Sequence, residues 1–178
     1  MSEDFERMLS GGHPNSLGRT IEVVETVLAV PTRMDELLGC YKSQDGVVRL
    51  RVSNALRRVQ ARQPDLIVPL IDKLIEEIGA LDQASAQWTL PKLFEGAHAE
   101  MSEMQRARAV GLVKRNLEVH SDWIVLNNSI EYLATLANDY DALKDWLLPH
   151  LSRLSDEPRK SVARRAGKYL GKLEAKQT

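Results

Sequence analysis

Asp45-Gly46-Val47-Val48-Arg49-Leu50-Arg51-Val52-Ser53-Asn54-Ala55-Leu56-Arg57-Arg58-Val59 carries a pattern that returns three more times along this chain. Val48, Val52, Ala55, Leu56 and Val59 sit three and four apart, so they share one face of a helix, with Arg51, Asn54, Arg57 and Arg58 on the rest. Slid along the sequence, the set Val52, Ala55, Leu56, Val59 recurs as Ala86, Thr89, Leu90, Leu93. It recurs again as Leu126, Ser129, Ile130, Leu133 and as Ala163, Ala166, Gly167, Leu170. The offsets of 34, 40 and 37 residues lie in the range of two-helix solenoid repeats. A small residue at the second position (Ala55, Thr89, Ser129, Ala166) lets two helices approach closely, while its apolar neighbours bury against the next repeat.

Working outward, Met34 to Lys42 and Val47 to Arg62 form the first hairpin, turning at Ser43 to Gly46. Leu66 to Ile78 pairs with Gln83 to Glu95, and both flanks of that first helix are apolar, which predicts the most buried helix of the set. Gly96, Ala97 and His98 interrupt before Glu103 to Leu117 pairs with Ser121 to Ala137. Asp141 to Leu154 then pairs with Pro158 to Leu173. The repeats run over about 33–63, 64–97, 102–138 and 140–173. Pro91 and Pro149 fall inside these helices and are expected to kink or interrupt them. Ahead of the repeats, Asn15 or Ser16 caps a helix from Leu17 to Val30 that serves as the terminal cap of the stack. Residues 1–16, a short helix over Met1 to Leu9 followed by Gly11 to Pro14, are expected to be mobile or loosely docked, leaving 17–174 as one repeat domain. No stretch alternates as a strand does.

Asp45 is followed at steps of 3, 4, 7, 10 and 11 by Val48, Arg49, Val52, Ala55 and Leu56, which resembles the second-helix signature of HEAT repeats. Asp156, Lys160, Ala163 and Ala166 keep the same steps, whereas Gly167 departs from the usual leucine, and Gly79 and Val119 stand where the aspartate would be. The resemblance implies an all-α, right-handed superhelix of about four HEAT-like hairpins, with Asp45 and Arg49 laddering between repeats.

Composition narrows function by exclusion. The 178 residues are 43% hydrophobic and 28% charged with a formal net charge of −1, which lacks the overall basic excess of a dedicated nucleic-acid or membrane-surface binder. The single cysteine, Cys40, sits in an apolar run and reads as a small core residue. Glu3, Asp4 and Glu6 are the reverse of a signal peptide, and no apolar run reaches membrane-spanning length, so a cytoplasmic protein with no membrane partner is expected. His13, His98, His120 and His150 do not share metal-ligand spacing on one helix, and no Walker-type, Cys-x-x-Cys or dinucleotide motif occurs. The reading is therefore of a protein that is not an enzyme, with no cofactor and no metal.

What remains is surface. Registering the repeats puts Asn54, Trp88, Asn128 and Arg165 in one column, with Arg58, Lys92, Tyr132 and Tyr169 one turn on. In a right-handed solenoid the second helices line the concave side, so these eight would face a shared groove, and large aromatics and arginines are partner-anchoring types. Packing of Trp88 and Tyr132 between adjacent second helices is the alternative. A second patch comprises Arg159, Lys160, Arg164, Arg165, Lys168, Lys172 and Lys176, which would meet phosphates or an acidic protein face, or remain a solvated capping face. Three functions follow: a scaffold holding a protein partner in its groove; a nucleic-acid binder, as in the bacterial alkylpurine DNA glycosylases whose solenoids resemble HEAT repeats; and an accessory subunit resembling the HEAT-like bilin lyase proteins.

Overall fold

The computed structural model of the chain describes residues 3–175; Met1, Ser2 and residues 176–178, including Lys176 of the basic stripe, lie outside the described residues. Among the described residues every element is helical. The chain divides into two compact units, Met1–Met101 and Ser102–Thr178. The division follows the interruption at Gly96, Ala97 and His98. Ser102 then starts a new helix with a reciprocal cap: its hydroxyl accepts the Gln105 N–H at 3.2 Å, and the Gln105 side chain accepts the Ser102 N–H at 3.0 Å.

Unit 1 is built around α4 (Gly46–Arg62), which packs against α2 (Thr20–Ala29) and against α6 (Ala84–Ala97). Val48, Val52, Ala55, Leu56 and Val59 are all fully buried, as their spacing requires. Asp45 caps α4 by accepting the Val47 N–H at 2.8 Å, and Arg49 donates back to the Ser43 carbonyl at 2.6 Å. These two side chains are thus engaged within their own turn rather than in a ladder. Between α4 and α6 a buried relay crosses the helix pair. The Ser53 hydroxyl donates to the Ser85 carbonyl at 2.9 Å, which leaves Tyr41 as the donor in its 2.7 Å bond to Ser53. Thr89 donates to the same Ser85 carbonyl at 2.9 Å.

Arg51 corrects the sequence reading most sharply. Assigned to the polar side of α4, it is 1% exposed and wrapped by the chain's own N-terminal segment. Its Nη1 donates to the carbonyls of Leu9 at 2.6 Å and Gly11 at 2.7 Å, its Nη2 to that of His13 at 3.2 Å, and its Nε to that of Ser16 at 3.2 Å. Residues 3–16 are accordingly docked rather than loose. Phe5 and Leu9 of α1 (Phe5–Leu9) are fully buried, the Phe5 N–H donates to Glu36 at 2.9 Å, and the Arg33 guanidinium lies 3.8 Å over the Phe5 ring. Asn15 and Ser16 belong to this loop, and α2 begins only at Thr20.

The other corrections concern prolines. The predicted helix over 66–78 is broken into a 3₁₀ turn at Pro64–Leu66, another at Val68–Leu70 and one α-turn, α5 (Ile71–Lys73). A wider π-type turn follows over Leu74–Ile78, in which the Gly79 N–H reaches the Leu74 carbonyl at 2.9 Å. Pro64 and Pro69 lack the N–H that a regular ladder needs. Ile67, Ile71 and Leu74 are nonetheless fully buried, and Gln87 donates to the Leu81 carbonyl at 2.7 Å, tying the end of this run to α6. Pro91 and Pro149, expected to kink or interrupt their helices, sit inside helices that they do not interrupt. The remaining helix of unit 1 is α3 (Met34–Gly39), continued by a 3₁₀ turn at Cys40–Lys42.

Unit 2 contains α7 (Glu103–Val119), α8 (Trp123–Leu136), α9 (Asp141–Ser155) and α10 (Lys160–Ala175). α8 packs against the other three, and α9 against α10. Asp122 caps α8 by accepting the N–H groups of Ile124 at 2.8 Å and Val125 at 3.0 Å. The small positions Ser129 and Ala166 are buried, as Ala55 and Thr89 are in unit 1. Gly167 is exposed, and α10 buries Val162, Ala166 and Leu173 instead.

Candidate functional site

The eight groove candidates divide four and four between the units. In unit 1, Asn54 is half-buried and its carboxamide donates to the Leu50 carbonyl of its own helix at 3.2 Å. Arg58 is exposed, Trp88 is half-buried, and Lys92 pairs with Glu95 at 3.2 Å. In unit 2, Asn128 is half-buried and Tyr132 is 2% exposed, so Tyr132 is a core residue and not a groove residue. Arg165 and Tyr169 do reach an open surface.

That surface is a cleft of about 330 Å³ between α8 and α10, lined by Trp123, Asn127, Glu131, Ser161, Arg164, Arg165, Lys168 and Tyr169. A neighbouring hollow of about 480 Å³ shares Tyr169 and reaches Thr135, Asn138 and Lys172. On α8, Trp123, Asn127, Glu131 and Thr135 stand four apart, one above another on a single face. On α10, Ser161, Arg165 and Lys168 provide the opposite wall. Arg165 reaches Glu131 across the cleft at 2.6 Å, and the Asn127 amide reaches the Ser161 hydroxyl at 3.4 Å.

The basic patch is partly used up internally. Arg159 pairs with Glu157 at 2.6 Å and donates to the Ser121 carbonyl, so it holds the start of α10 rather than facing a partner. Lys160, Arg164, Lys168 and Lys172 are exposed, and the ammonium groups of Lys168 and Lys172 lie 5.6 and 5.5 Å from the Tyr169 ring centre. Trp123 is 50% exposed, an uncommon position for so large an apolar side chain. Asn127 is only 5% exposed, and its Oδ1 has no hydrogen-bond donor among the described residues.

Sequence reasoning missed Asn127 and Glu131 by one residue and did not extend its columns back to Trp123 or Ser161. It carried a single helical column through all repeats and so chose Asn128 and Tyr132. One residue is a rotation of about 100°. A groove between neighbouring helices is lined by different flanks of the two, so the column that serves α10 cannot also serve α8. The four-residue spacing of Trp123, Asn127 and Glu131 was the available signal.

Chemically the cleft offers cations, an aromatic wall, a carboxylate and a carboxamide. Among the described residues no cluster of three or more His, Cys, Asp or Glu side chains is arranged to hold a metal ion, and no helix is long and apolar enough to cross a membrane. No protein-family model, curated protein or solved structure matches the chain.

Proposed function

We propose that this protein is a non-enzymatic interaction module of HEAT-like helical hairpins that holds a protein partner in the α8–α10 cleft. The solenoid reading is supported by the recurring small-and-apolar spacing, and by the way second helices pack on second helices within each unit, α4 on α6 and α8 on α10. The observation that carries the functional reading is the half-exposed Trp123, set in a cleft with Tyr169, Arg164 and Lys168. Tryptophan, tyrosine and arginine are the side chains that most often dominate binding energy at protein interfaces. They cost little to leave on a wall that a partner covers and are disfavoured on one that stays wet.

The test is site-specific photo-crosslinking. A photoreactive phenylalanine analogue replaces Trp123 in the full chain, and the cross-linked products from the native host are compared with those from the same protein carrying Arg164→Glu and Lys168→Glu. A defined protein adduct that disappears on charge reversal supports the module. Adducts that are absent, or indifferent to the reversal, overturn it.

A further inference from the structure

Resting on that interaction reading, we infer that the cleft takes an extended acidic segment of the partner. The Asn127 carboxamide reads its main chain, and Arg164 and Lys168 receive its carboxylates. The first observation is Asn127. It is nearly buried on the cleft lining, its amide nitrogen makes only a long 3.4 Å contact to Ser161, and its Oδ1 lacks a donor. A buried acceptor without a donor is costly, and turning the carboxamide out to an arriving donor recovers that cost. A peptide N–H is such a donor, and the adjacent peptide carbonyl accepts from the same carboxamide's N–H. A phosphodiester backbone has acceptors only, so it leaves Oδ1 as it was.

The second observation is charge. Arg165 is neutralised by Glu131 at 2.6 Å, whereas Arg164 and Lys168 have no carboxylate partner among the described residues. Unit 2 also carries the positive half of the molecule. Residues 102–178 have 13 Lys and Arg against 10 Asp and Glu, while residues 1–101 have 11 against 15. An acidic segment is therefore attracted to this unit and repelled by the other. Trp123 supplies a flat apolar face for the segment's side-chain stems at small entropic cost.

Fluorescence anisotropy on the full chain tests this with four labelled probes. They are a short peptide alternating aspartate and alanine, the same peptide N-methylated at alternate main-chain nitrogens, a peptide alternating lysine and alanine, and an oligothymidylate of similar length. The acidic peptide should bind and the lysine peptide should not. N-methylation, which removes main-chain donors without touching the protein, should weaken binding about fivefold. Arg164→Glu with Lys168→Glu, both at exposed positions, should weaken it about tenfold or more. Equal binding of the N-methylated peptide, no binding of the acidic peptide, or indifference to charge reversal overturns the inference. Oligothymidylate binding lost on the same reversal, with the acidic peptide silent, replaces it with a nucleic-acid ligand. If photo-crosslinking at Trp123 captures a partner while the acidic peptide does not bind, the interaction module stands and only the acidic, main-chain reading falls.

Discussion

Arg51 has its charge buried with no carboxylate partner among the described residues. Five backbone carbonyls and the Ser16 hydroxyl, which accepts from Nη2 at 3.3 Å, satisfy the guanidinium instead. A loop can present that many oxygens to one point only by turning sharply, and Gly12 and Gly18 do so at φ values of +72° and +52°. A Cβ on Gly18 would lie 2.8 Å from the guanidinium carbon. Arg51→Met should therefore cost about 3 kcal/mol, because it strands carbonyls that had charge-assisted bonds. Gly18→Ala should cost more than about 1 kcal/mol through strain; urea denaturation measures both. Cys40 makes the opposite prediction, of inertness. Burial first, and then the carboxylates of Asp4, Glu6 and Glu36, push its thiol up to about 12. A disulfide reagent such as dithionitrobenzoate should leave the native protein unlabelled at neutral pH and titrate one thiol after unfolding.

Element existence was legible because 3.6-residue periodicity survives in the apolar positions. The helices α4, α7, α8, α9 and α10 all lie where their spacing puts them. Element regularity was less legible, and the prolines explain why. Pro91 and Pro149 sit in long helices whose buried faces hold the fold together around a missing bond. Pro69 sits three residues past a 3₁₀ turn begun by Pro64, where no regular helix had yet formed to oppose it. The candidate site was half legible. Arg164, Arg165, Lys168 and Tyr169 followed from the α10 pattern, while the α8 wall required knowing which flank faces α10. The α7–α9 contact carries its own prediction. His150 stacks 4.2 Å from the Trp146 ring, itself under the Lys114 ammonium at 4.1 Å. Desolvation holds the imidazole below its ordinary 6.5, with Arg153 and Lys114 adding to the effect and Glu118, 3.9 Å away, opposing it. A lowered value means the folded state favours neutral imidazole, so this stabilisation is present above about pH 6.5 and is lost as pH falls through it. Between about pH 7.5 and about pH 5.5 the urea midpoint should drop more in the wild type than in His150→Gln.

At the scale of the molecule, the division after Met101 sets how damage spreads. Arg51→Met removes the fastening of α1 and its loop, all of which lies in unit 1. Native-state hydrogen exchange on the full chain should accordingly accelerate in α1, α2 and α4 and leave α7 to α10 near wild-type protection. Acceleration spread evenly over both units would mean that they unfold as one. The positive balance of unit 2 attracts an acidic partner most strongly at low salt, and the pull fades as the screening length shortens.

The wrapped arginine also bears on how such a chain is born. Residues 9–16 leave the ribosome before the side chain that fastens them, which follows 35 to 42 positions later. Until then their carbonyls remain with water, and Phe5 and Leu9 have no surface to close upon. In a translation product stalled short of Arg51 this stretch is thus an open, greasy ribbon fit for a chaperone or a protease, while a few dozen codons more let it snap into place.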